Sequence, residues 1–236
     1  MNKKAVIAFV IIIVIILCVV FLMSMSHSTQ VPTNQVPVTQ APAIKADYIS
    51  LCEDGTVYTI LGGVAYKNGA ALSYTHPVVS IGGLDKNNFI CFLDDGSIYR
   101  NTELVPGNAM YGTVAPDGTA WIVNHDDAIF HSPINNIQWI NVPGLLVNIH
   151  GTNSTTAVGV NKDGICFKTT DAGVTWSQYC GGAIYTVSCG NRVLVLRSDG
   201  VYDANCNLIM GGSFRHIAAN SKKYALVAAD GTVTMH

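Results

Sequence analysis

The alternation of apolar and polar positions along this chain changes its rhythm twice. From Ala5 to Met23 every residue is apolar, nineteen in succession. At a helical rise of about 1.5 Å this run reaches about 28 Å, close to the roughly 30 Å hydrocarbon core of a bilayer. A cleaved secretory signal has a shorter apolar region of about 7–15 residues, although Ser24-Met25-Ser26 would serve as a small-residue cleavage site. The run predicts a transmembrane signal-anchor helix over residues 5–23. Lys3 and Lys4 precede it, and no charged residue follows before Lys45. The positive-inside rule then keeps residues 1–4 in the cytosol and carries the remainder across the membrane. The expectation is a single-pass type II protein whose main domain is extracellular or lumenal. Residues 24–45 carry Pro32, Pro37 and Pro42 among Val, Thr, Gln and Ala. Proline's fixed φ and missing N–H predict a semi-extended stalk there, or a plain spacer.

From residue 46 to 236 the pattern becomes short apolar runs interrupted by Asp-Gly. The phrases are YISLCEDGTVYTI, FICFLDDGSIYRN, YGTVAPDGTAWIV, AVGVNKDGICFKT, VLVLRSDGVYDA and YALVAADGTVTMH, with pairs starting at Asp54, Asp95, Asp117, Asp163, Asp199 and Asp230. Asp-Gly between β-prone runs signals a hairpin, because glycine takes positive φ freely and Asp tolerates the left-handed region. One hairpin per unit, at a period of about 35 residues, predicts the blades of a β-propeller. The expected fold is all-β, a six-bladed ring of short three- to four-stranded blades; a five-bladed ring with an irregular insertion fits the same arithmetic. An aromatic follows most of the glycines by three residues, at Tyr58, Tyr99, Trp121 and Phe167, with Tyr202 one residue early. These are expected in the core between blades. Read this way, the first blade lacks its leading strand and the last its trailing one. The ring is expected to close through a composite blade, with a strand from residues 36–45 as the other route.

Composition supports the β reading. Charged residues are 12% of the chain, about half the roughly 25% usual in globular domains, and there are two glutamates, Glu53 and Glu103. An apolar fraction of 49% and a mean hydropathy of +0.33 exclude a disordered chain. The net charge of −2 offers no basic field for a phosphate backbone, so nucleic acid is not an expected partner.

Two tryptophans, Trp139 and Trp176, open similar phrases, WINVPGLLVNIHG and WSQYCGGAIYTVSCG. Residues 139–167 resemble the tectonin-type propeller repeat, with Trp139, Gly144, Ile149, Gly151, Gly159, Val160, Asn161, Gly164 and Phe167 at the matching points; residues 176–202 fit less fully. The resemblance implies a propeller that recognises rather than catalyses, often a saccharide-binding or interaction module. Thr169, Asp171, Gly173, Thr175 and Trp176 also match the Asp-box pattern S/T-x-D-x-G-x-T-W. That likeness, shared by sialidases and by non-enzymatic propellers, implies a turn between outer strands, not a site.

Six cysteines follow the stalk, Cys52, Cys91, Cys166, Cys180, Cys189 and Cys206. An even number beyond a membrane suggests disulfides. Cys166 and Cys180 are symmetric about Gly173 and make the first candidate pair; Cys189 and Cys206 make the second. Six free thiols are the alternative. Asn153-Ser154-Thr155 is a glycosylation sequon. His125, Asp126, Asp127 and His131 lie close in sequence, yet no zinc-protease spacing is present, and neither a metal nor a cofactor is expected. A sialidase-like site needs several arginines on one ligand carboxylate; Arg100, Arg192, Arg197 and Arg215 are scattered, so no enzyme activity is expected. The expected partner is a glycan or a protein on one propeller face, with residues 5–23 in the membrane.

Overall fold

The short apolar runs become strands, and the strands gather into six antiparallel sheets, five of four strands and one of three. The structure, a computed structural model, describes residues 44–236. The tail 1–4, the apolar span 5–23 and residues 24–43 of the stalk lie outside the described residues. Among the described residues no helix is long and apolar enough to cross a membrane.

Blade one is β1 (Tyr48–Leu51), β2 (Val57–Leu61), β3 (Val64–Lys67) and β4 (Ala70–Ala71). Blade two is β5 (Val78–Gly83), β6 (Phe89–Leu93), β7 (Ile98–Arg100) and β8 (Glu103–Val105). Blade three is β9 (Tyr111–Val114), β10 (Thr119–Val123), β11 (Ala128–Pro133) and β12 (Ile140–Leu145). Blade four is β13 (Asn148–Gly151), β14 (Ala157–Val160), β15 (Cys166–Thr169) and β16 (Ser177–Cys180). Blade five is β17 (Tyr185–Cys189), β18 (Arg192–Arg197), β19 (Gly200–Asp203) and β20 (Leu208–Gly211). Blade six is β21 (Phe214–Ala219), β22 (Tyr224–Ala228) and β23 (Val233–Met235).

The first strand of each blade packs against the first strands of its two neighbours, from β1 through β5, β9, β13, β17 and β21 back to β1. They surround a central channel. Strands such as β6 (FICFL) and β10 (TAWIV) are buried along their whole length, because a blade covers both faces of its middle strands. An apolar cluster fills each seam. Tyr58 and Ile81 lie between blades one and two, Phe92 and Ile122 between two and three, and Trp121 and Ile149 between three and four. Cys166 and Val195 lie between four and five, Leu196 and Ile217 between five and six, and Val227 and Ile49 between six and one. No blade has a core of its own, so each depends on its neighbours for burial.

Two expectations change. The Asp-Gly turns are not all equivalent. Those at Asp54 and Asp117 join the first and second strands of their blades, whereas those at Asp95, Asp163, Asp199 and Asp230 join the second and third. This accounts for their uneven spacing, and blade one is complete. Closure combines the two routes expected. Lys45 bridges Thr232, Val233 N–H donates to Ile44 O (3.0 Å) and Ala46 N–H to Gly231 O (2.9 Å). Ile44 and Lys45 thus add a bridge to the outer edge of blade six, so the contacts of the propeller extend to residues before 46.

Candidate functional site

All six inner strands run in the same direction relative to the channel, so their C-terminal ends meet at one mouth. Each blade places a residue there: Glu53, Leu84, Pro116, Thr152, Asn191 and Ser221 line a cavity of about 180 Å³. One wall is the seam between blades six and one. Ser221 donates both its N–H (2.7 Å) and its hydroxyl to the Glu53 carboxylate, and Asn220 Nδ2 donates to Cys52 O (3.0 Å).

His150, at the inner side of the mouth, is held in one tautomer. Ser188 N–H donates to its Nδ1 (3.3 Å), so the proton sits on Nε2, which faces Ala219 O at 3.3 Å. The ring therefore links blades four, five and six as a neutral group. Burial lowers its pKa to about 4. Further along the channel, toward the starts of the same strands, four rings close the bore. Tyr48 lies 6.1 Å from Tyr111 and 4.0 Å from His216, and Tyr185 lies 6.1 Å from Tyr111 and 4.7 Å from His216, between ring centroids. Ser80 Oγ donates to Tyr48 OH (3.1 Å), and burial pushes that phenol up to about 12. His216 accepts from Ile49 N–H through Nδ1 (3.5 Å), and burial lowers its pKa to about 3.

Two polar atoms at this channel, His216 Nε2 and Thr152 Oγ1, are buried without a partner among the described residues. A void of about 20 Å³ beside His216 has room for about one water. Thr152 lines the mouth cavity, and its Oγ1 is buried beneath that surface. The charged groups of the surrounding turns are unevenly spread. Glu53, Asp54, Asp85 and Asp117 lie on blades one to three together with Lys86, while Arg192, Lys222 and Lys223 lie on blades five and six. The mouth offers hydrogen bonds and a modest field. Among the described residues no group of three or more His, Cys, Asp and Glu is placed to hold a metal ion.

The residues singled out in the sequence fall mostly away from this cavity. Asn153 is in the β13–β14 turn beside it, and its Oδ1 accepts from Thr155 N–H (2.9 Å) and Thr156 N–H (2.8 Å). Thr169 to Trp176 form the β15–β16 turn between outer strands. There the Asp171 carboxylate accepts from Thr175 N–H (3.0 Å) and Thr175 Oγ1 (2.6 Å), and Gly173 N–H donates to Thr169 Oγ1 (2.9 Å). Those hydrogen bonds hold the Asp171 carboxyl at about 2. His131 stacks on Trp121 at 4.7 Å, while His125 and Asp126 are exposed in the β10–β11 turn.

The cysteine pairing needs a correction. Cys166 and Cys180 do face each other in the β15–β16 register, but Cys180 is bonded to Cys206 of blade five. Cys166 and Cys189 are free and buried, as are Cys52 and Cys91. The Cys180–Cys206 Cα separation of 5.9 Å suits a disulfide, and the tight turn at Cys206 brings it across the seam.

The tryptophans act within the ring. Trp121 is fully buried and donates to Asn153 O (2.9 Å). Trp139 and Trp176 are half-buried, and each reaches the preceding blade, donating to Pro106 O (2.7 Å) and Pro143 O (2.8 Å) respectively. Each indole lies over the glycine that follows the proline: a Cβ on Gly107 would come 2.7 Å from Trp139 Nε1, and one on Gly144 3.3 Å from Trp176 Nε1. The sequence signal for this strut is Val-Pro-Gly, which occurs at 105–107 and 142–144, each time with its proline 33 residues before a tryptophan. The mouth residues carried no comparable signal. They share no residue type, come from six separate turns, and are united by ring closure alone.

Residues 77–232 match the Tectonin domain family. No curated protein matches the chain. Among solved structures, BamB from Moraxella catarrhalis is 17% identical over 83% of this chain and 71% of that one, with a TM-score of 0.51. PorZ, described as an essential bacterial surface component of the type-IX secretion system of Porphyromonas gingivalis, is 12% identical with a TM-score of 0.51. The match covers 81% of this chain and 33% of PorZ. The computationally designed Ika8 protein is 14% identical over 80% of this chain and 69% of that one, with a TM-score of 0.52. At such identities the likeness is one of fold.

Proposed function

The chain belongs to the Tectonin domain family, and from that premise we propose that it is a non-catalytic recognition module whose ligand enters the channel mouth. The observation that carries this reading is the cavity to which all six blades contribute. Six turns converge their polar groups on one concave space, the usual form of a small-molecule site. The ligand class is a saccharide, read through hydrogen bonds to its hydroxyls. Asn191 and Ser221, both exposed, stand on the rim and offer such bonds. Ring stacking plays a smaller part, because Trp121 is fully buried and Trp139 and Trp176 lie against the preceding blades, away from the mouth. Residues 5–23 hold the propeller to a membrane, on its extracellular or lumenal side, with the proline-containing segment as spacer.

A second reading, docking of a protein, draws on a different surface. Leu104, Ile140, Leu145, Leu208 and Ile209, all on fourth strands, are 47–62% exposed. A glycan-array screen of the detergent-solubilised full chain, with tryptophan fluorescence as the check on folding, separates the two. Binding of one saccharide class, weakened by Asn191→Ala in a folded protein, is expected. A folded protein that binds no saccharide would contradict the glycan reading and leave protein docking.

A further inference from the structure

Three cysteines lie in one apolar cluster at the seam between blades four and five. Cys180, ending β16, is bonded to Cys206 in the β19–β20 turn of the next blade. Cys166, a free thiol, is the cross-strand partner of Cys180, and all three belong to one apolar cluster. Arg197, at the end of β18, places Nη2 2.9 Å from Cys180 Sγ, and its guanidinium lies over the Tyr202 ring at 4.3 Å. A thiol, a disulfide and a fixed positive charge are therefore gathered in one buried place, on two blades.

We propose that these residues form an internal disulfide relay in which Cys166 exchanges with the Cys180–Cys206 bond. Cys166 is fully buried in the closed ring, so its thiol loses its proton to water admitted when the seam opens, and the thiolate attacks Cys180 Sγ. A Cys166–Cys180 bond forms as the Cys180–Cys206 bond breaks. The electron pair of the broken bond leaves on Cys206 Sγ, which takes up a proton. One disulfide and one thiol are present before and after, so no oxidant or reductant is consumed. Arg197 stabilises the negative charge shared among the three sulfurs during the exchange. The exchange turns a staple between blades four and five into a link within blade four. It also exposes a reactive thiol at Cys206, a half-buried residue on an outer turn and hence a site for modification or for a mixed disulfide with a thiol-bearing partner.

The relay is slow where Cys166 is protonated. Burial pushes that thiol up to about 11, against the opposing pull of Tyr179 and Arg197. Below that value the thiolate fraction, and with it the exchange rate, rises about tenfold per pH unit.

The test is alkylation of the folded full chain, followed by acid quench and non-reducing peptide mapping. The expected result is label on Cys206 together with a Cys166–Cys180 linkage, both accumulating faster as pH rises. In Cys166→Ser, Cys206 is expected to be labelled at least about tenfold more slowly, since the attacking thiolate is gone. Cys189→Ser, which removes a thiol at another seam, should leave the exchange unchanged and so controls for loss of structure. Labelling of Cys206 at the same rate in Cys166→Ser, or retention of Cys180–Cys206 alone across the pH range, would overturn the proposal.

Discussion

At the scale of single residues, the Asp-Gly turns show how a carboxylate and a glycine divide the work. Asp54, Asp95, Asp117 and Asp230 each accept the N–H two residues on, at 2.8–3.0 Å. The intervening glycine has φ between +83° and +87°. These bonds hold the Asp54 and Asp95 carboxyls below their ordinary value. The channel histidines are shifted downward for the opposite reason, since burial disfavours their charged form. In an unfolded chain a histidine titrates near 6.5, so below that pH the unfolded state takes up protons first. The stability due to neutral His150 and His216 should be complete above about pH 6.5 and decline as pH falls toward about 4 for His150 and about 3 for His216. The carboxylates lose their contribution only below about pH 4. Urea midpoints measured from pH 7 to 5 should fall, and a flat profile there would contradict the histidine assignment. Thr152 gives the opposite kind of prediction. Its buried hydroxyl has no partner among the described residues, so Thr152→Val should leave the urea midpoint unchanged or raise it. On the rim, Asn191→Ala should weaken saccharide binding by about 1 kcal/mol, roughly fivefold.

At the scale of elements, the strut between a tryptophan and the Val-Pro-Gly of the preceding blade is the clearest unit. Gly107, at φ +128°, would place a Cβ 2.7 Å from Trp139 Nε1 and 2.9 Å from Ile98 Cδ1. Gly107→Ala should therefore cost about 1–3 kcal/mol in denaturant unfolding. A change near zero would show that the indole is free to move. Much at this scale was legible in advance. Asp-Gly flanked by apolar runs marked real hairpins, and Cys166 was placed opposite Cys180 from the symmetry about Gly173. Which hairpin of a blade each Asp-Gly occupies was not legible, because the first and second turns of a blade make the same demand on φ. The partner of Cys180 was not legible either. Cys206 is 26 residues further on and approaches only because blades four and five pack side by side. The edge added by Ile44 and Lys45 falls within residues 36–45, named in advance as one route to closure, but its position was not legible because it is very short and follows a proline-containing stretch.

At the scale of the whole molecule, closure makes six incomplete sheets into one cooperative ring. Blades six and one are tied by Lys45 to Asp230 (2.9 Å), Arg215 to Asp47 (2.7 Å), Ser221 to Glu53 and Asn220 to Cys52. Surface ion pairs of this kind contribute little singly, so the backbone bonds and the apolar seam should dominate. Ala46→Pro removes the N–H that meets Gly231 O at a fully buried residue. It should cost about 1–3 kcal/mol and lower the thermal midpoint of the whole domain, not of blade six alone. Closure also creates the mouth, and its residues were not legible in the repeat because they come together only when the ring closes. The most direct test of the account is amide hydrogen exchange on the full chain, with and without the strongest saccharide from the array. Recognition at the mouth predicts slower exchange in the turns after β1, β5, β9, β13, β17 and β21. Slowing confined to the fourth strands β8, β12 and β20, or no saccharide that slows exchange at all, would contradict it.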